Sequence, residues 1–77
     1  MMEKELVEYI AQNLVNDPSQ VEVRSRKTSS AIILELHVAR SDMGRVIGRN
    51  GRVANAARSL LRVIAAQKNT RINLEID

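Results

Sequence analysis

Gly48, Arg49, Asn50 and Gly51 are the residues of this 77-residue chain whose types and spacing bear most directly on chemistry. All three glycines of the chain, Gly44, Gly48 and Gly51, fall within eight residues of one another. A glycine leaves the main chain unshielded by a Cβ and free to adopt positive φ, so a sugar-phosphate backbone can come close to the amide groups. The segment also opens onto the start of a helical pattern, where unpaired N–H groups and the helix dipole both favour an anion. Arg45, Arg49 and Arg52 surround it and can add charge-assisted hydrogen bonds to a phosphate, while Asn50 offers a polar tip. A purely structural role explains part of this pattern, with Gly48 capping one helix and Gly51 allowing entry into the next. It does not explain the gathered arginines.

Other chemistries find little support. The chain has no cysteine and a single histidine, His37, which excludes a disulfide framework, thiolate metal ligands and a cysteine nucleophile. His37 lies in a β-like run and lacks a partner that would make it a general base. The serines show no nucleophile-elbow pattern, and the glycine segment lacks the lysine and hydroxyl residue of a P-loop. The acids are concentrated near the N-terminus without metal-ligand spacing. Neither an enzyme nor a metal or cofactor site is therefore expected.

Charge is distributed unevenly. Residues 1–39 carry four bases and six acids, a net of −2, whereas residues 40–71 carry eight bases against Asp42 alone, a net of +7. This asymmetry points to a polyanionic partner for the second half, although the same arginines could form a solvated helix face.

The elements that must position the glycine segment follow from hydrophobic period. Leu6, Ile10 and Leu14, with Val7 and Ala11 beside them, predict an amphipathic helix from Glu3 to about Val15, with Glu3, Glu5 and Glu8 complementing its dipole. Asn16, Asp17 and Pro18 end it. Val21 and Val23 then alternate with Glu22 and Arg24. After the polar turn Lys27 to Ser30, Ile32, Leu34, Leu36 and Val38 share one face, so the two runs predict a hairpin. Ser41 or Asp42 is the expected cap of a short helix ending near Ile47. Val53, Ala57, Leu60, Leu61 and Ile64 predict a second, longer helix to about Gln67, ended by Asn69, and Ile72, Leu74 and Ile76 mark a third strand.

The expected order is helix, strand, strand, helix, helix, strand. A crossover through helices favours parallel pairing of the second and third strands, and the short turn favours antiparallel pairing of the first two. The result is an α+β fold, a mixed three-stranded sheet with its helices on one face. Length and the absence of linker or repeat predict one domain spanning residues 1–77. The acidic opening lacks the basic start and apolar run of a secretory signal, and no stretch approaches a membrane span, so a cytoplasmic protein is expected.

The run Val46-Ile47-Gly48-Arg49-Asn50-Gly51-Arg52 resembles the VIG-x-x-G signature of the KH domain, a single-stranded nucleic-acid-binding module whose GxxG loop clamps about four nucleotides. The element order is similar to the type II arrangement of that fold. Length and order together resemble the small stand-alone bacterial KH proteins of the KhpA (YlqC) kind, over essentially the whole chain. The resemblance implies that Gly48, Arg49, Asn50 and Gly51 clamp RNA, that Val46 and Ile47 line an apolar groove for bases, and that Arg45 and Arg52 flank the backbone path. It further implies an RNA chaperone or post-transcriptional regulator that forms a homodimer or pairs with a larger Jag-type (KhpB-like) KH protein. No small-molecule substrate is implied.

Tyr9 is the only aromatic residue, so stacking platforms of the kind used by sheet-surface RNA binders are absent. Binding must rest on phosphate contacts and aliphatic packing, which predicts low sequence specificity and strong dependence on salt. The rival expectation is a protein-interaction module, with exposed aliphatic residues such as Val63 on the long helix and RNA contact secondary or lost.

Overall fold

The computed structural model describes residues 2–77. Helix α1 (Met2–Leu14) is followed by strands β1 (Glu22–Lys27) and β2 (Ala31–His37), helix α2 (Met43–Ile47), helix α3 (Arg52–Lys68) and strand β3 (Arg71–Ile76). The sheet order is β1-β2-β3. β1 pairs antiparallel with β2, from Glu22↔His37 to Lys27↔Ile32, and β2 pairs parallel with β3, from Ala31↔Arg71 to Leu36↔Ile76. This is the mixed sheet and the element order that the hydrophobic periods predict.

β2 shows why the helices lie on one face. Ile32, Leu34 and Leu36 are buried, while Ile33 and Glu35 are half-buried and His37 is exposed on the opposite face. That opposite face is an open hollow lined by charged side chains, among them Glu22, Glu35 and Glu75. The hairpin turn closes on Thr28, whose Oγ1 accepts hydrogen bonds from the Ser30 and Ala31 amides at 3.3 and 3.0 Å.

Both long helices bury a face slightly different from the expected one. In α1 the fully buried positions are Glu3, Val7 and Ala11, and Leu14 is 37% exposed. Small Ala11 lets the helix approach the sheet, and larger Leu6 and Ile10 pack at its flanks. In α3 the buried positions are Ala54, Ala57, Leu61 and Ala65, whereas Leu60, expected in the core, is 50% exposed. Close approach of an alanine-rich face again decides the rotation. The helix ends at Asn69, which adopts the left-handed conformation with φ of 55°.

Two acids take roles other than those expected. Glu3 is buried and accepts a hydrogen bond from the Lys68 ammonium at 2.9 Å, so it ties the start of α1 to the end of α3. Asp42 makes no side-chain cap on α2. Its buried carboxylate instead accepts hydrogen bonds from the backbone amides of Asn16 and Asp17, at 3.0 and 3.1 Å, beyond the end of α1. The Arg45 Nε lies 3.3 Å from the same carboxylate. No helix among the described residues is long and apolar enough to cross a membrane.

Candidate nucleic-acid interface

The α2–α3 junction is a four-residue turn built from left-handed backbone. Gly48, Asn50 and Gly51 have φ of 78°, 56° and 76°. Gly48 is required here by two constraints. An added Cβ would sit 2.6 Å from Cγ2 and 2.8 Å from the backbone nitrogen of Val53, and the latter cannot move aside without shifting α3. Gly51 is constrained by its φ alone, since a Cβ there would meet only the Asn55 side-chain amide at 3.6 Å. Asn50 is one of the few residue types that tolerate the left-handed region without a glycine's freedom.

Hydrogen bonding in the turn separates the amides that are spent from those that are free. The Gly48 amide donates to the Gly44 carbonyl at 2.9 Å and the Gly51 amide to the Gly48 carbonyl at 3.1 Å. The Arg52 amide donates to the Arg49 carbonyl. Among the described residues, the amides of Arg49 and Asn50 have no internal acceptor. Both residues are exposed at the tip. The sequence locates the loop; which amides remain available appears only in the structure.

The site residues divide accordingly. Arg49, Asn50 and Arg52 are exposed around the free amides, and Ile47 is 37% exposed beside them. Val46, expected to line a groove, is 3% exposed and belongs to the core. It packs with Val7, Leu36, Val53 and Leu74 and so anchors the junction from below. Arg45, expected along the backbone path, is held at Asp42 and spends part of its charge there. The structure also brings in a residue to which the motif gives no role. Arg58, in the middle of α3, donates from a terminal guanidinium nitrogen to the Leu74 carbonyl of β3 at 3.0 Å. Its spacing marks it only as another base on a helix face.

The family model for the KH domain of KhpA and KhpB matches residues 4–76. A protein of Clostridium acetobutylicum named RNA-binding protein KhpA is 45% identical over 73 residues, covering 95% of this chain and 97% of the relative. One of the same name from Treponema pallidum is 47% identical over 75 residues, covering 97% and 94%. Among solved structures, Era from Aquifex aeolicus bound to GDP and aluminium fluoride superimposes with a TM-score of 0.67 at 16% identity. A structure of Era in complex with a segment of 16S ribosomal RNA gives a TM-score of 0.68, also at 16% identity. In both, the match covers 97% of this chain but 29% of the Era chain, and at that identity it establishes the fold alone. With this order of elements, this mixed sheet and relatives matched along nearly their full lengths, the chain belongs to the KhpA/KhpB family of KH-domain proteins.

Proposed function

We propose that this protein is an RNA-binding module, not an enzyme, and that residues 1–77 act as one KH domain holding a short single-stranded segment at the 48–51 turn. The observation that carries this is the pair of unpartnered backbone amides at Arg49 and Asn50, displayed between exposed guanidinium groups at Arg49 and Arg52. Two adjacent amides and nearby cations suit a phosphate oxygen and are indifferent to the base attached. The relatives' name, RNA-binding protein KhpA, supports the same assignment. With no aromatic platform in the basic half, the contact is mainly electrostatic, which fits an RNA chaperone or post-transcriptional regulator of low sequence specificity.

Replacing Arg49 and Asn50 together by aspartate tests the clamp. Aspartate tolerates the left-handed conformation of residue 50, so the turn survives while its charge is reversed. Affinity for a short oligouridine, measured by fluorescence anisotropy, should fall by at least a hundredfold with thermal stability nearly unchanged. Wild-type affinity should fall with salt at a logarithmic slope of about −0.7 per phosphate contacted. Retained affinity in the double variant would transfer the role away from this turn.

A second observation favours self-association alongside RNA binding. An apolar hollow of about 430 Å³ runs between α1 and α3, with Ile10, Leu14, Val53, Ala56 and Leu60 on its walls. Val63, at 57% exposure, extends the apolar surface of α3. We assign this surface to a second copy of the chain, with a KhpB-like KH protein as the alternative occupant. Leu60→Asp should convert a dimer to a monomer in sedimentation equilibrium; a wild-type monomer at high concentration would favour the larger partner.

A further inference from the structure

β3 is an edge strand, and its free edge is occupied by a side chain from the neighbouring helix. Asp77 turns both backbone groups toward β2: its amide donates to Leu36 at 2.9 Å and its carbonyl accepts from Val38 at 3.4 Å. Backbone direction alternates along a strand, so Glu75 and Asn73 also face β2, and Ile72, Leu74 and Ile76 face the open edge. The Leu74 carbonyl on that edge accepts from Arg58. A long side chain that would otherwise sample many rotamers is thereby held in the seam between α3 and β3.

The seam continues from the phosphate turn. Arg58 lies six residues beyond Arg52, or about 9 Å along the helix axis. That distance corresponds to between two and three stacked nucleotide steps of about 3.4 Å. Beyond it, a hollow of about 450 Å³ is lined by the aliphatic Ala65, Ala66 and Ile72 and by polar side chains that include Arg62, Arg71 and Asn73. A base leaving the turn in this direction would meet the Arg58 guanidinium and, past it, this partly aliphatic hollow.

We infer that Arg58 reads a base: held by the Leu74 carbonyl, its guanidinium selects a base with two adjacent acceptors, guanine or cytosine, over adenine and uracil at one nucleotide of the strand clamped by the turn. The inference rests on the proposed clamp and adds a preference to it. A guanidinium has five N–H donors, of which the Leu74 carbonyl takes one. The remaining fork matches two adjacent acceptors. Guanine presents O6 and N7 side by side and an unpaired cytosine presents N3 and O2, whereas adenine places an amino donor beside both N7 and N1. Uracil's O4 stands next to a ring N–H. A phosphate also offers paired oxygens. Arg58, however, is half-buried and engaged with the strand edge, while the exposed cations Arg49 and Arg52 flank the free amides. The position favours a base inserted edge-on over a backbone that stays in solvent.

The test uses the full chain and uridine hexamers carrying one guanosine, cytidine, adenosine or 7-deazaguanosine at each position in turn. Guanosine or cytidine should raise affinity about fivefold or more at one position, and adenosine there should not. 7-Deazaguanosine, which lacks the N7 acceptor, should lose the gain that guanosine gives, without any change to the protein. Arg58→Lys keeps the charge but not the fork, so it should abolish the preference while leaving hexauridine affinity within about twofold. A thermal melt establishes that the variant is folded. A preference that survives Arg58→Lys, or no preference in a wild-type protein that binds hexauridine, overturns the role of Arg58 and leaves the clamp standing. A loss shared equally by all hexamers, with a shallower salt slope, makes Arg58 a phosphate contact and also overturns the inference. If wild-type protein binds no hexamer, the clamp itself fails.

Discussion

The consecutive backbone amides of residues 16 and 17 and those of residues 49 and 50 both lie outside regular hydrogen bonding, and they are treated in opposite ways. At residues 16 and 17, after α1, the amides are filled by the buried carboxylate of Asp42, one oxygen to each, at 3.0 and 3.1 Å. At residues 49 and 50 the amides have no internal acceptor, and arginines stand around them. The first pair shows, within the same chain, the complement such amides take: a bidentate anion with Arg45 beside it. The second offers the same arrangement with the anion left to come from outside. Arg45 and Asp42 sit at opposite ends of one helical turn, so α2 joins the filled site to the open one.

Removing the resident anion should produce the largest effect on stability. Asp42→Ala leaves two part-buried amides unsatisfied and releases Arg45, and should destabilise the fold by about 3 kcal/mol in urea denaturation. Folded protein should still bind RNA, because the open pair is untouched. A loss of under 0.5 kcal/mol would mean that water replaces the carboxylate at no cost, and the parallel between the two sites would fail.

The open turn has its own internal contrast. Gly48→Ala sets a methyl group against the Val53 backbone as well as demanding a left-handed alanine, and should cost about 2 to 3 kcal/mol. Gly51→Ala makes only an ordinary contact with the Asn55 side chain and should cost about 1 kcal/mol, from backbone conformation alone. Equal losses, read from chemical denaturation of the two variants, would show that contact with Val53 is not what makes Gly48 necessary.

The Glu3–Lys68 tie gives a prediction with a sign. Burial pushes the Glu3 carboxyl up, but the hydrogen bond from Lys68, a backbone hydrogen bond and the ammonium charge together hold it below its usual 4.5. A carboxyl lower in the folded chain than in the unfolded one contributes stability above the unfolded value, and that contribution is lost as pH falls through the folded value. Lys68→Met leaves burial as the main influence, so the sign reverses and the variant should lose stability as pH rises past about 4.5. At neutral pH it should be about 2 kcal/mol less stable than wild type. Parallel stability–pH curves for the two proteins would remove Glu3 as the origin.

What could be read from the sequence differs between the two sites for physical reasons. The run from Ile32 to Val38 alternates because one side of β2 faces the helices, so its period alone identifies strand and face. The glycine spacing and clustered arginines likewise locate the open turn, since both properties are local. Asp42 carries no such mark: an acid before a short helix reads as that helix's cap, and its true partners lie 25 and 26 residues away. Val46 reads as groove lining because an apolar residue beside a glycine turn can face either way, and only the packing of α2 on Val7 and Leu36 turns it inward. Rotation of α3 was illegible for a related reason: Leu60 outweighs Ala54 and Ala65 in any hydrophobic count, yet the alanines permit closer contact and take the buried face. Arg58 becomes distinct only when the Leu74 carbonyl is seen to face the free edge of the sheet.

The smallest predicted effect is the most selective between backbone and side chain at the open site. Asn50→Gly preserves the left-handed conformation, since glycine adopts φ near 56° without strain, and it keeps both amides and every neighbouring charge. If the amides hold the phosphate, as the Asn16 and Asp17 amides hold Asp42, deleting the carboxamide costs only the added freedom of the unbound loop. Oligouridine affinity should then fall by less than about fivefold, the equivalent of 1 kcal/mol or less of backbone entropy. A drop of fiftyfold or more would assign the contact to the Asn50 side chain, and the two amide pairs would no longer be counterparts. Because the substitution moves no charge, the salt slope should be the same in both proteins, which separates this outcome from a general weakening of the electrostatic contact.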